Sequence, residues 1–275
     1  MRDRALSAAV LVPPLLIVLV LGEPWIAVLI GVVVVLGAHE AFRLLRDAGY
    51  PVLPELGTVM ALAVVVDAAA PRELAGTALL LTAVGLLLIA VGAFVRPDPK
   101  EGASAWIATT FGAVYVGLLA FVVRLGTAAP VLPADAPATA FGAERAWILL
   151  LVLGVWAYDT GAYLVGRQFG RRKFLTHISA SKTVEGLIGG LVACTAVVAI
   201  GLWAVGEPVV GALLLGPVLG LAAQAGDLAE SMIKRAAGAK DSGTLIPGHG
   251  GVLDRIDSFL FAAPIVTLYV VAFVR

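Results

Sequence analysis

Charge is scarce in this chain, and cysteine is almost absent. Only 14% of its 275 residues are charged, whereas soluble domains carry about 25%, so an ordinary soluble globular protein is excluded. Cys194 is the single cysteine, which excludes an intrachain disulfide and favours a small core residue at that position. The 19 basic and 19 acidic residues cancel. Without an excess of positive charge there is no general attraction to nucleic acid, and no nucleic-acid partner is expected.

Long hydrophobic runs are what the chain has instead. Hydrophobic residues make up 60% of it, and its mean hydropathy is +1.01. Because about 20 apolar residues cross a bilayer as one helix, the runs predict an all-α polytopic membrane protein with about nine transmembrane helices. The continuous rather than alternating runs favour helices over a β-barrel. The predicted spans are 5–21, 25–42, 56–70, 74–95, 104–124, 146–165, 186–205, 208–226 and 258–274.

The distribution of Lys and Arg predicts the orientation of these spans. With the N-terminus in the cytoplasm and the C-terminus outside, alternate loops place 15 of the 19 basic residues in the cytoplasm and 4 outside. This bias is typical of a correct topology, because positively charged loops stay on the cytoplasmic side. Removing one span would move every later loop to the other side and destroy the bias. A multi-pass protein of the inner (plasma) membrane is therefore expected.

Composition divides the chain into three regions. Residues 1–126 are predicted to be membrane helices that act as a scaffold, and residues 127–145, rich in Ala and Pro, to be an outside connector. Residues 146–275 are predicted to form a catalytic membrane region, because most of its charge lies in two cytoplasmic loops, 166–185 and 227–257. The active site is therefore expected on the cytoplasmic face.

The stretch 226–235 carries polar residues at helical spacing. Spacing alone favours an interfacial amphipathic helix whose charges are solvated. Acids this close to the bilayer are costly unless they are paired or bound to a metal, and that cost favours a functional role. The residues that would line one helical face, at i, i+3, i+4 and i+7, are Asp227, Glu230, Ser231 and Lys234.

A glycine-rich loop and a second pair of acids follow. Residues 240–251 are rich in turn formers, so the backbone there can approach a ligand closely. Asp254 and Asp257 then lie three residues apart at the start of the last apolar run. Carboxylates from two helix ends, beside several cations, suit a polyphosphate bound through Mg²⁺, because substrate oxygens complete the octahedral shell of that ion. The sequence has neither a zinc-type spacing of Cys and His nor a P-loop.

Residues 231–257 read SMIKR, KDSG and IPGHGGVLDRID, separated by gaps of four and two residues. This pattern resembles the signature of the phosphatidate cytidylyltransferases (CDP-diacylglycerol synthases). Two upstream blocks, WAYDTGAY at 156–163 and KTVEG at 182–186, also resemble that family. The chain departs from the family pattern at Ala180 and Val184, where the family often has Pro and Trp. These departures concern the positioning of that loop and not the reaction class.

The resemblance implies an integral-membrane nucleotidyltransferase of phospholipid biosynthesis, which makes CDP-diacylglycerol and pyrophosphate from CTP and phosphatidate. It also implies Mg²⁺ as the cofactor, with K⁺ as a second ion, membrane lipid around the site, and a homodimer. The implied metal ligands are Asp227, Asp254 and Asp257. The implied partners of the CTP and pyrophosphate charge are Lys182, Lys234, Lys240 and Arg255. Hydrogen-bond donors to phosphate would be Ser231 and His249, and orienting residues Asp241 and Asp159.

Two other functions stay open on the residues alone. A transporter would place charges near the bilayer midplane and would show an internal repeat, whereas the acids here cluster at one face. A CTP-dependent polyprenol kinase would use the same nucleotide but would transfer the γ-phosphoryl group. The GHGG and DRID blocks favour nucleotidyl transfer over the kinase reaction.

Local patterns outside the signature predict ordinary structural roles. Glu40 and Arg43, near the cytoplasmic end of the second span, are expected to form an ion pair across one helical turn. Small residues in the seventh span are expected to let two helices approach closely. These residues are Gly186, Gly189, Gly190 and Gly201.

Overall fold

The computed structural model of the chain describes residues 13–14, 16–70, 77–246, 248 and 250–274. Between Trp25 and Phe273 these residues form nine α-helices and two single-turn 3₁₀ segments, Thr139–Phe141 and Val209–Gly211. In the described ranges there is no β-strand, only isolated bridges. The all-α class is confirmed. The helices are α1 (Trp25–Asp47), α2 (Pro54–Ala69), α3 (Thr77–Ala93), α4 (Pro99–Gly117), α5 (Ala120–Ala128), α6 (Ala143–Phe169), α7 (Val184–Ala204), α8 (Ala212–Ala236) and α9 (Leu253–Phe273).

Five of the described helices are long and apolar enough to cross a membrane, namely α1, α6, α7, α8 and α9. The pair α4 and α5, bent by 41°, adds a sixth if it counts as one span. A multi-pass membrane protein is therefore confirmed, while the count of nine spans and their orientation stay predictions. Most of the first predicted span, 5–21, lies outside the described residues.

The chain divides into two compact units. The first comprises Met1–Val123 and Met232–Ile256, and the second comprises Arg124–Ser231 and Asp257–Arg275. In the first unit Phe42, on α1, is almost fully buried. Its ring fills the space that a side chain would occupy at Gly57 on α2 and at Gly112 on α4. Two glycines thus let three helices pack around one aromatic ring.

The second unit is organised by close packing of α6 against α7. Every fourth residue of α7 is buried, and the opposite face exposes large apolar side chains such as Val192 and Ile200. A Cβ on any of the four predicted packing glycines would press against α6, which confirms that prediction. Cys194, on the same buried stripe, is a fully buried free thiol, as expected. The exposed apolar face is suited to contact lipid tails.

Candidate active site

The predicted helical face at the end of α8 is present, and part of it is buried. The helix runs without interruption to Ala236 and includes all four polar positions. Glu230 is fully buried and Lys234 is 9% exposed. Burying ionisable groups is costly unless they are paired, so these two residues do not fit the alternative of a surface helix with solvated charges. Asp227 and Ser231 are partly exposed.

In the first unit, Lys234 forms an ion pair with Asp254 across the glycine-rich loop. Lys234 Nζ lies 2.6 Å from Asp254 Oδ1, and the two side chains are 11% and 7% exposed. The other oxygen, Oδ2, accepts hydrogen bonds from Ser242 N at 2.9 Å, Ser242 Oγ at 2.8 Å and Gly251 N at 2.8 Å. Hydrogen bonds to a charged carboxylate are among the stronger ones in proteins. The loop therefore fixes Asp254 in one orientation.

Glycines give the loop the backbone geometry that these bonds need. Gly248 and Gly250 have φ values of 74° and 81°, in the left-handed region that favours glycine. Ile246 N donates to Gly250 O at 2.9 Å and closes the turn between them. A Cβ on Gly250 would lie 2.6 Å from Asp254 Oδ2. The predicted phosphate donor in this turn, His249, lies outside the described residues.

The remaining predicted cations of the first unit lie at the edges of this loop. Lys240 is its first residue and Arg255 follows it in the first turn of α9, and both are exposed. Asp241, the predicted orienting residue, is also exposed. Their exposure leaves these side chains open to a soluble ligand such as a nucleotide.

Two residues of α1 belong to this cluster, although the sequence predicts an ion pair between them. Glu40 Oε2 accepts hydrogen bonds from Ser242 Oγ at 3.0 Å and from Leu253 N at 2.8 Å. Arg43 Nη2 donates to the carbonyl oxygen of Ser242. The local pair is therefore a wrong prediction, because both side chains find partners in a loop about 200 residues away. The sequence does contain one signal for these contacts, which is an acidic residue within the apolar helix α1.

In the second unit, Lys182 and Asp227 form an ion pair, and their side chains are 25% and 24% exposed. Ser231 Oγ lies 3.5 Å from Asp227 Oδ1, one helical turn along α8. The structure thus brings a predicted cation from one loop to a predicted metal ligand on α8. This agrees with the prediction that Lys182 approaches from the other loop.

The position of Lys182 follows from the cap of the next helix. Thr183 is the N-cap of α7 and accepts a hydrogen bond from Gly186 N at 3.2 Å. Glu185 accepts hydrogen bonds from the backbone N–H groups of Arg171 and Arg172, at 2.9 and 3.1 Å. Val184 departs from the family pattern, yet its backbone N donates to Arg172 O at 2.8 Å. The loop before α7 is therefore tied down at its end by backbone bonds.

Asp257 and Asp159 occupy different settings in the second unit. Asp257 lies in the second turn of α9, and its Oδ1 accepts a hydrogen bond from Ser258 N at 2.6 Å. A Cβ on Gly226 would overlap the backbone oxygen of Asp257, so α8 and α9 pack backbone to backbone beside Asp227. Asp159 is exposed on α6. Its neighbour Tyr158 is fully buried and donates a hydrogen bond to Gln224 Oε1 at 2.8 Å.

The three predicted metal ligands are divided between the units, with Asp254 in the first and Asp227 and Asp257 in the second. Among the described residues no group of three or more His, Cys, Asp or Glu side chains is arranged to hold a metal ion. Asp227 and Asp254 are each neutralised by a lysine instead. Their oxygen donors nevertheless suit Mg²⁺, which keeps few protein ligands and takes the rest from water and substrate phosphates. The residues fit that ion in this sparse manner.

Comparison with known proteins gives this arrangement a family. A model of the cytidylyltransferase family matches residues 2–273. The chain belongs to that family. A phosphatidate cytidylyltransferase from Synechocystis sp. is 36% identical over an alignment 290 residues long. The alignment covers 98% of this chain and 96% of the relative.

Shorter matches reach higher identity. A phosphatidate cytidylyltransferase from Staphylococcus saprophyticus is 42% identical over 135 residues, or 46% of this chain and 49% of the relative. One from Staphylococcus aureus (strain COL) is 46% identical over 128 residues, with the same two coverages. Membership of this family does not support the transporter alternative.

Proposed function

We propose that this member of the cytidylyltransferase family is an integral-membrane phosphatidate cytidylyltransferase, which makes CDP-diacylglycerol and pyrophosphate from CTP and phosphatidate. The observation that carries the proposal is the setting of Asp254, which accepts three hydrogen bonds from the loop between α8 and α9 and forms an ion pair with Lys234 of α8. That loop contains the middle of the signature, whose two ends lie on α8 and α9, and the family match extends over residues 2–273. Membrane helices on either side provide access to a lipid substrate.

The reaction chiefly requires that charge be neutralised. An oxygen of the phosphatidate monoester attacks the α-phosphorus of CTP in line, a new P–O bond forms, and the bond to pyrophosphate breaks. The second pKa of a phosphate monoester is about 6, so the attacking oxygen is already largely ionised and needs no strong base. The obstacle is the approach of one anion to another. Positive charge and alignment should therefore supply most of the catalysis.

This chain has cations in both units for that purpose. In the first unit, exposed Lys240 and Arg255 are proposed to bind phosphate oxygens of CTP and pyrophosphate. Lys234, which pairs with Asp254 in this structure, is proposed to neutralise charge on CTP and pyrophosphate as well. In the second unit, Lys182 is proposed to neutralise phosphate charge, with the Ser231 hydroxyl as a donor. Asp241 is proposed to orient these groups, and His249 to donate a hydrogen bond.

Mg²⁺, with K⁺ as a second ion, is the proposed cofactor. Its ligands on this chain would be Asp227, Asp254 and Asp257, the acids that the signature contains. When bound, the ion would neutralise charge on the reacting phosphates and help to align them. Asp227 is suited to bind such an ion, because its carboxylate is partly exposed. The 3.5 Å distance from its Oδ1 to the Ser231 hydroxyl also makes that hydrogen bond a weak competitor for the oxygen.

For the arrangement in the membrane, we propose the topology that the distribution of Lys and Arg predicts. Nine spans with a cytoplasmic N-terminus leave 15 basic residues in the cytoplasm and place the signature loop there. CTP is available on that face, and phosphatidate can present its headgroup from the inner leaflet while its tails stay in lipid. A homodimer is proposed on the family resemblance alone.

The decisive experiment follows the α-phosphate of CTP. Purified protein in detergent with phosphatidate, Mg²⁺ and CTP labelled at the α-phosphate should transfer the label to lipid and release unlabelled pyrophosphate. Asp227→Asn and Asp254→Asn should abolish transfer while the protein still inserts, and chelation of divalent ions should stop it. Label recovered only in soluble CDP, beside a newly phosphorylated lipid, would identify a kinase instead. Near-normal transfer by either variant would remove that aspartate from the metal site.

A further inference from the structure

Glu40 is a buried acid far from the signature in sequence. Glu40 lies in the second half of α1 and is 4% exposed. Its Oε2 atom accepts one hydrogen bond from the Ser242 hydroxyl and one from the backbone N–H of Leu253. All three residues belong to the first unit. A carboxylate buried in this way is stabilised only by such partners, so its position and that of the loop are coupled.

Two signature glycines make room for this carboxylate. A Cβ on Gly243 would overlap Glu40 Oε1, and a Cβ on Gly251 would overlap both Glu40 and the Ser242 hydroxyl. Neither glycine has a φ value in the left-handed region. Their lack of a side chain is therefore explained by the close approach of Glu40 and not by backbone conformation. Part of the glycine pattern in the loop fits an acid supplied by α1.

Glu40 contacts the same groups that hold Asp254. The Ser242 hydroxyl lies 3.0 Å from Glu40 Oε2 and 2.8 Å from Asp254 Oδ2, and its single proton can be donated to one of them at a time. Leu253 is the first residue of α9, so its N–H is one of the donors that a helix leaves without an internal partner. A negative charge at that end of a helix is favourable. Glu40 thus caps the helix that carries Asp254.

We propose that Glu40 is a positioning residue, which holds Ser242 and the start of α9 so that Asp254 keeps one orientation for the reaction. Arg43, which donates to the Ser242 carbonyl, assists it from the next turn of α1. The catalytic consequence rests on the proposed cytidylyltransferase function. The structural consequence does not, because it depends only on contacts among the chain's own residues.

The first test measures the loop directly. Cys194 is buried and is the only native cysteine, so a spin label on Thr244→Cys, at an exposed loop position, reports the loop alone. In detergent without CTP or Mg²⁺, Glu40→Ala and Ser242→Ala should each make the label more mobile. In the double variant, the label should be no more mobile than in the single variant with the larger effect. Glu101→Gln, which removes a more exposed acid paired with Arg96, should leave the spectrum unchanged. Unchanged mobility in Glu40→Ala would overturn the proposal.

The second test measures the reaction. Glu40→Ala should lower kcat/KM for CTP about tenfold or more, the effect of losing a charge-assisted hydrogen bond, and Glu40→Gln should lower it less. Adding Ser242→Ala to Glu40→Ala should cost little more, because both act through Asp254. If Glu40→Ala does not insert, Glu40→Gln decides the question by the same two measurements. Suppose that the wild-type protein lacks transferase activity while Glu40→Ala still makes the spin label more mobile. That result would refute the proposed function and leave the positioning role intact. Full activity in Glu40→Gln with an unchanged spectrum would refute the role.

Discussion

Two lysine–aspartate pairs with the same chemistry differ in burial. The pair Lys234–Asp254 is nearly buried, with side chains 11% and 7% exposed, whereas Lys182 and Asp227 are each about one quarter exposed. Removing one partner of a buried pair leaves a charge without solvent or counter-charge, and that is costly. A partly exposed pair is screened by water and contributes little. The two pairs should therefore matter differently for stability, although both are proposed to take part in the reaction.

At this residue scale, Lys234→Met should destabilise the protein by ~3–5 kcal/mol, whereas Lys182→Met should cost only about 1 kcal/mol. Combining Lys234→Met with Asp254→Asn should recover part of the lost stability, because the charge of Asp254 is then removed together with that of its lysine partner. Thermal unfolding in detergent measures the stability of each variant, and the transfer assay should show that the double variant stays inactive. Equal losses for the two lysine variants would show that burial does not distinguish the pairs.

At the scale of elements, glycine determines how closely α6 and α7 approach. A Cβ on Gly161 of α6 would lie 2.6 Å from Ala193 Cβ and 2.9 Å from the backbone oxygen of Gly189, both on α7. Backbone atoms cannot rotate away as a long side chain can, so the two helices would have to separate. Since Lys182 directly precedes the cap of α7, the spacing of this pair also bears on the position of that lysine.

Gly161→Ala should therefore lower stability by about 1–3 kcal/mol, the usual cost of overpacking a well-packed interior. The matched control is Gly31→Ala on α1, also inside a membrane helix, where the new Cβ would meet no described residue except Leu62, whose Cδ2 lies 3.9 Å away. That substitution should be neutral or slightly stabilising, because alanine favours helix more than glycine does. Apparent Tm in detergent compares the two variants. A similar Tm for both would contradict the close packing of α6 and α7.

At the scale of the whole molecule, the prediction of nine spans and of their orientation depends on charge more than on helix length. Five described helices are long enough to cross a bilayer, and the bent pair α4 and α5 allows six. The shorter helix α3, with 17 residues, falls below that length but matches a predicted span. Short apolar helices can still span a membrane where the bilayer thins around them. The distribution of Lys and Arg therefore remains the main argument for nine spans.

Cysteine labelling in intact cells can test this topology, because Cys194 is buried and the parent protein should not react with a membrane-impermeant maleimide. Ala134→Cys, exposed in the predicted outside connector, should be labelled in intact cells. Ser181→Cys, exposed before α7, should be labelled only after the membrane is permeabilised. Labelling of both positions in intact cells would contradict the orientation that places the signature loop in the cytoplasm.

Sequence alone determined the helical membrane class, the signature residues and the packing glycines of α7. These properties depend on local composition and spacing: an apolar run must be helical in lipid because its backbone needs internal hydrogen bonds. Only the tertiary structure decided the partners, joining Lys234 to Asp254, Lys182 to Asp227 and Glu40 to the loop at Ser242. A charged side chain at a helix end has several possible partners at similar energy. Which of them it meets depends on how distant helices pack.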